Sequence, residues 1–114
     1  MSAHDPTSTQ ANALELAILA RLSVAGAPVD ASKLNVVSRE ITGAGSYTTF
    51  ATADPPPELW RDRVGLDDVL IEVPGVPNGL GAVLWLNNEL PLCLEIYTYG
   101  GDSWDGSFEG FSLK

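Results

Sequence analysis

One carboxylate in the C-terminal half lies among side chains that together could bind a polar ligand. Successive residues of an extended chain point to opposite faces. In the segment 90–99 this places four side chains on one face: Cys93, Glu95, Tyr97 and Tyr99. Trp85, on the preceding apolar segment, is a candidate neighbour of Glu95. The pattern predicts either an aromatic-lined groove that binds a ligand or a peptide, or the solvent side of a sheet with one buried face.

A second group of acidic and aromatic residues lies in the glycine-rich segment 100–113. Trp104 stands between Asp102 and Asp105, and tryptophan on such a loop is a good interface anchor. The alternative is that Trp104 closes the edge of the core, because tryptophan is highly buried on average. Asp102, Asp105 and Glu109 could offer oxygen ligands to a hard cation, but their spacing does not fit an EF-hand. We therefore expect a solvated acidic loop here.

The residue types needed for catalysis are sparse. A serine or cysteine nucleophile needs a nearby base, and the only histidine, His4, lies near the N-terminus. The block Gly101-Asp102-Ser103 therefore does not predict a hydrolase, and Cys93 with His4 cannot supply a zinc site. Gly43-Ala44-Gly45 joins two predicted strands and does not open a helix, so it does not predict a phosphate loop. We expect no catalytic residue, no cofactor and no metal.

The charge of the chain is strongly negative and unevenly placed. The 114 residues carry 15 Asp and Glu against 6 Lys and Arg, a formal net charge of −9. Residues 64–113 contain eight of the acids and none of the bases. Such a field repels nucleic acid and anionic lipid and favours cationic partners, although acidity also serves plain solubility. No apolar run is long enough for a membrane span.

The elements that would position these residues can be read from periodicity and turn residues. We predict a flexible segment over 1–11 and a single domain over 12–114. A helix is expected at 12–25, where Asn12 and Glu15 form a capping box. Strands are expected at 33–41, 46–52, 68–73, 80–86 and 90–99, with a last short strand in 100–113 and turns at 42–45 and 87–88. A loop is expected at 54–57, and a short helical turn at 58–66 with Trp60.

Short connections favour antiparallel pairing, because parallel strands need longer crossovers. The prediction is an α+β domain of two layers, with one N-terminal helix packed on a five- to six-stranded, mainly antiparallel sheet.

Two segments resemble a family of small uncharacterised bacterial proteins. The first is Val37-Ser-Arg-Glu-Ile-Thr-Gly-Ala-Gly-Ser-Tyr-Thr-Thr-Phe50, and the second runs from Asp68 to Tyr99 and includes Leu94-Glu-Ile-Tyr-Thr-Tyr99. The family shares a Ser-Arg-Glu-x-Thr-Gly-x-Gly hairpin and an acidic, aromatic C-terminal region. This chain departs from it at Ser46-Tyr47, where the family has two aromatics. The resemblance implies a single domain over about residues 34–113 and implies no activity.

Three functional hypotheses follow. The first is a non-catalytic acidic protein-binding module, in an immunity-like form docking a basic partner, with a candidate surface of Glu95, Tyr97, Tyr99, Asp102, Trp104 and Asp105. The second is a small-molecule-binding or minor catalytic domain that uses Glu95, Tyr97, Tyr99 and Arg39. The third is a DNA mimic. The sequence indicates no oligomeric state. Without a basic and then apolar leader, and with one cysteine, the chain is expected in the cytoplasm.

Overall fold

The computed structural model describes residues 10–27, 29–30, 34–50, 62–66, 69–87 and 90–114. Within these ranges the chain forms one helix and seven strands. They are α1 (Ala13–Val24), β1 (Val36–Ile41), β2 (Gly45–Phe50), β3 (Asp62–Gly65), β4 (Ile71–Glu72), β5 (Leu80–Asn87), β6 (Leu90–Thr98) and β7 (Ser112–Leu113). Every described strand pair is antiparallel. The predicted α+β class, with one helix on a mainly antiparallel sheet, is confirmed.

The helix begins and ends where its capping residues indicate. The Asn12 side chain accepts from the Glu15 N–H at 2.9 Å, and the Glu15 carboxylate accepts from the Asn12 N–H at 2.8 Å, which completes a capping box. Past the last turn, Gly26 has a φ of +103°, a left-handed conformation that glycine adopts without steric cost. One face is fully buried: Leu14, Ile18, Leu19 and Leu22. Each stabilises the fold by at most about 1.5–3 kcal/mol.

The strands form one sheet in the order β1-β2-β6-β5-β4-β7. One edge of β5 pairs with β6. Its other edge pairs with β3 at Val83–Leu86 and with β4 at Leu80. The predicted helical turn at 58–66 is wrong where it can be compared. Asp62–Gly65 is an edge of this sheet, and Val64 packs against the core. Residues 58–61, the predicted loop at 54–57 and Asn88 lie outside the described residues.

The helix covers one face of the sheet, and a buried ion pair fixes it there. Phe50, Leu84 and Ile96 belong to the same buried cluster as the apolar face of α1. The Glu15 carboxylate, at the start of α1, receives two bonds from Arg39 of β1, at 2.8 Å from Nε and 2.6 Å from Nη2.

The Thr48 hydroxyl of β2 donates a third bond to this carboxylate, at 2.6 Å. Glu15 therefore serves both as a helix cap and as the polar contact between α1 and two strands.

The C-terminal segment crosses one end of the sheet before it returns as β7. Trp104 N–H donates to the Gly43 carbonyl at 2.9 Å, and the indole N–H donates to the Ser107 carbonyl at 2.7 Å. Trp104 is only 6% exposed and belongs to the main core cluster. The loop between β6 and β7 therefore closes the edge of the core, which was one of the two sequence interpretations of Trp104.

Candidate functional site

The sheet surface opposite α1, here called the aromatic face, gathers polar and aromatic residues from five strands. Strand register places them side by side: Glu40 opposes Tyr47, Tyr47 opposes Glu95, Glu95 opposes Val83, and Trp85 opposes both Cys93 and Arg63. The Tyr47, Trp85, Glu95 and Tyr97 side chains are half-buried there. The alternation predicted for segment 90–99 is confirmed for Glu95 and Leu94, which face opposite sides.

Glu95 is held by two aromatic donors at the middle of this face. The indole Nε1–H of Trp85 donates to Oε1 at 3.1 Å, and the hydroxyl of Tyr47 donates to Oε2 at 3.2 Å. Each carboxylate oxygen can accept more than one hydrogen bond, so both keep acceptor capacity. The expected neighbour Trp85 is present. Tyr47 was missed, because only the β2–β6 register shows that it lies opposite Glu95.

Tyr47 lies in a negative electrostatic environment. Its pKa lies above the ordinary value of 10.0, chiefly because burial disfavours the phenolate, and also because the Glu95 and Glu40 carboxylates face it. Tyr47 therefore remains a hydrogen-bond donor through neutral and mildly alkaline pH. The Glu40 and Glu95 carboxylates flank Tyr47 on the two neighbouring strands, and together they create a local field that attracts cations.

Gly81 makes room for the tyrosines of β6. It is the residue paired with Tyr97 on the neighbouring strand β5. A Cβ at Gly81 would come within 2.5 Å of the Tyr97 ring and of the Tyr99 hydroxyl. The two rings pack edge to face with centroids 5.5 Å apart. Tyr99 is 42% exposed, so the pair extends the aromatic face toward solvent.

Cys93 is unsuited to nucleophilic chemistry. It is fully buried beside Leu92, Tyr47 and Trp85, and the Thr49 hydroxyl lies 4.0 Å from its sulfur. Burial is the main reason that its pKa rises to about 12. The thiol is therefore protonated at neutral pH and acts as an apolar side chain between the strands.

Arg63 is a cation on the aromatic face. It pairs with Trp85 across the β3–β5 ladder, and its guanidinium carbon lies 5.9 Å from the centre of the Trp85 ring. This is within the range of a cation–π contact. Arg63 was not among the candidate site residues, because segment 58–66 was expected to be helical. On the aromatic face, Trp85 therefore has the Arg63 cation over its ring and the Glu95 carboxylate at its indole N–H.

Three of the six candidate surface residues lie away from Glu95, in the loop at the end of the sheet. Asp102 accepts from the Asn78 N–H at 3.0 Å, and Asp105 accepts from the Ser107 N–H at 2.9 Å. The bonds to Ser107 hold the pKa of the exposed Asp105 below its usual value. Trp104, the third of these residues, is 6% exposed and packs into the core, in line with the alternative that it closes the core edge.

The end-of-sheet loop borders a cleft of about 610 Å³ whose walls include Gly43, Pro74, Trp104 and Asp105. Among the described residues, no three acidic, histidine or cysteine side chains come together as a metal site would require.

Arg39 does not join the Glu95 group. Its guanidinium lies on the opposite side of the sheet and is bonded to Glu15. The proposed combination of Glu95, Tyr97, Tyr99 and Arg39 is therefore wrong in its cationic member. In the described part of the chain, the cation that contacts this group is Arg63, over the Trp85 ring.

Comparison of the chain with protein-family models, with curated proteins and with solved structures finds no match in any of the three. The resemblance to small bacterial proteins stays a prediction. No helix in the described part of the chain is long and apolar enough to cross a membrane.

Proposed function

We propose that this protein is a non-catalytic binding module that docks a basic partner protein on its aromatic face. The observation that carries the proposal is the Glu95 carboxylate, fixed by Trp85 and Tyr47 and half-exposed among aromatic rings. A carboxylate beside ring faces fits the Lys and Arg side chains of a partner, since the carboxylate pairs with the charge and the rings attract it. An immunity-like role, with a basic toxin as the partner, is one form of this function.

Charge supports the same partner chemistry at longer range. The chain carries a net charge of −9, and such a field speeds the association of a cationic partner and makes it sensitive to salt. Some acids are already paired within the fold, such as Glu15 with Arg39 and Glu72 with Lys114. Glu95 instead has neutral donors, Trp85 and Tyr47, so its negative charge is not cancelled by them.

The two other hypotheses are less well supported. A small-molecule-binding or minor catalytic domain would use Arg39 together with Glu95, but Arg39 is bonded to Glu15 on the other side of the sheet. A catalytic role would also need an activated group, and Cys93 is buried with its pKa raised to about 12. A DNA mimic needs carboxylates spaced along one surface as phosphates are. The described acids lie on different parts of the molecule: Glu95 is on the aromatic face, Glu72 is on β4 and pairs with Lys114, and Asp105 is in the loop at the end of the sheet. They therefore do not follow one surface.

The test compares two variants that each remove one negative charge. Glu95→Gln keeps an acceptor for Trp85 and places a donor toward Tyr47, so the local geometry is retained. Glu72→Gln is the matched control, at an exposed ion pair on another strand. The probe is the peptide acetyl-Gly-Arg-Gly-Arg-Gly-amide, whose arginines share one side when extended. Its citrulline counterpart is the neutral control, and binding is followed by NMR titration at low salt.

We expect saturable binding of the arginine peptide, no binding of the citrulline peptide, and weakening as salt is added. Glu95→Gln should weaken binding about fivefold, corresponding to about 1 kcal/mol for one solvent-accessible ion pair. Glu72→Gln should bind within about twofold of the unmodified protein. Equal affinity of the two variants, or no binding of the arginine peptide at all, would contradict the proposal.

A further inference from the structure

We infer that Arg63 is an internal occupant of the docking site on the aromatic face, and that a basic partner docks by putting one of its own guanidinium groups in the place of Arg63. This inference rests on the proposed function, because it names the group that the site recognises and what that group must displace. It is carried by the position of Arg63 over the ring whose N–H holds Glu95.

Arg63 reaches the Trp85 ring from the neighbouring strand. Directly opposed residues of antiparallel strands have their Cβ atoms about 4.5–5.5 Å apart on one face, and Arg63 opposes Trp85 in the β3–β5 ladder. The guanidinium carbon then lies 5.9 Å from the ring centre. Trp85 itself is oriented by the bond from its Nε1–H to Glu95 at 3.1 Å. The ring is therefore a fixed platform that already carries one guanidinium.

Arg63 is held only weakly over the ring. Its side chain is exposed, and within the described part of the chain no carboxylate lies close enough to form an ion pair with it. An exposed cation–π contact changes an equilibrium constant only about two- to fivefold. Arg39 is the contrast, since two of its nitrogens bond to the buried Glu15. A cation held so weakly can leave the ring at little cost.

An arginine from a partner would make more favourable interactions at this site than Arg63 makes. A guanidinium that approaches Trp85 from outside can stack on the ring and also reach the free acceptor capacity of Glu95. Arginine suits this better than lysine, because its planar group stacks on aromatic rings and donates in a fork, whereas an ammonium is a compact, strongly hydrated charge. The site should therefore prefer arginine peptides to lysine peptides.

The experiment removes the internal occupant. Arg63→Gln and Arg21→Gln each change the net charge from −9 to −10, and Arg21 lies exposed on α1, so it controls for charge alone. Both are titrated with acetyl-Gly-Arg-Gly-Arg-Gly-amide and with the lysine counterpart. In the unmodified protein, NMR also follows the Arg63 side-chain protons, which the Trp85 ring current shifts upfield while Arg63 lies over the ring.

We expect Arg63→Gln to bind the arginine peptide about two- to fivefold more tightly than Arg21→Gln, because the peptide no longer has to displace the cation–π interaction of Arg63. We also expect the Arg63 protons to move downfield as the peptide saturates the unmodified protein. If the peptide perturbs Trp85 while those protons stay unchanged and the two variants bind equally, Arg63 is not displaced and only this inference fails. If no protein binds either peptide, the proposed function fails as well.

Discussion

The ion pair between α1 and the sheet offers a stringent test of how the fold is held together. We consider Arg39→Met, which keeps the apolar stem of the side chain and removes its charge. The Glu15 carboxylate is 2% exposed and would lose two charge-assisted bonds, at 2.8 and 2.6 Å. It would keep the bond from Thr48 and the cap to Asn12.

The expected loss of stability is large because a buried charge is left without its partner. Removing one member of a buried pair costs about 3–5 kcal/mol. The Arg39 side chain is 16% exposed, so water can replace part of the interaction, and we expect a value near the lower end, about 3 kcal/mol. In a domain of this size each kcal/mol shifts Tm by roughly 4 °C, so Tm should fall by about 12 °C.

Urea denaturation followed by circular dichroism measures this loss as a change in the free energy of unfolding. Glu40→Gln, at the next position on β1 but exposed, is the control and should cost less than about 0.5 kcal/mol. The double variant Glu15→Gln/Arg39→Met should be more stable than Arg39→Met alone, because the buried group is then neutral. Thr48→Val, which removes one bond to the carboxylate, should cost about 1.5–3 kcal/mol. If Arg39→Met costs no more than Glu40→Gln, the ion pair does not fix the helix to the sheet.

Three further predictions concern the aromatic face. The Tyr47 phenol should titrate above pH 10 by absorbance at 295 nm, taken as the difference from Tyr47→Phe, and Glu95→Gln should bring its pKa closer to 10.0. Because the fold raises this pKa, the stability that protonated Tyr47 contributes is present below pH 10 and is lost as pH rises through the folded value. A pKa below 10 would contradict the contacts described for Tyr47. Cys93 should resist a thiol reagent in the native protein at pH 8 and react fully in denaturant, since its pKa is about 12 and it is buried; the stability it contributes should fall between pH 9 and 12. Gly81→Ala should destabilise the protein by about 1–3 kcal/mol, because the new Cβ meets the Tyr97 ring; unchanged stability in urea would mean that the rings move aside freely.

Local patterns in the sequence predicted much of the fold. The capping box at Asn12 and Glu15 is a short-range signal, and the structure places the start of α1 there. The alternation around Glu95 likewise follows from the geometry of one strand, so the side of the sheet that it faces could be predicted. Such signals depend only on residues close in sequence.

Contacts between distant segments were beyond these patterns. Tyr47 and Arg63 reach the aromatic face through the β2–β6 and β3–β5 registers, which no local pattern specifies. The same holds for Arg39, whose partner Glu15 is 24 residues away. Leu16 of α1 is apolar yet 44% exposed, because the sheet covers only one side of the helix. Strand order, and not residue type, decides these contacts.

We propose that the aromatic face, and not the acidic loop at the end of the sheet, receives a cationic partner. The most direct measurement is a map of amide and indole chemical-shift changes on titration with acetyl-Gly-Arg-Gly-Arg-Gly-amide. We predict that the largest changes fall at the Trp85 indole N–H and at backbone amides around Glu95 and Tyr47. Changes confined to the loop at Ser103–Ser107, with Trp85 unaffected, would contradict the account.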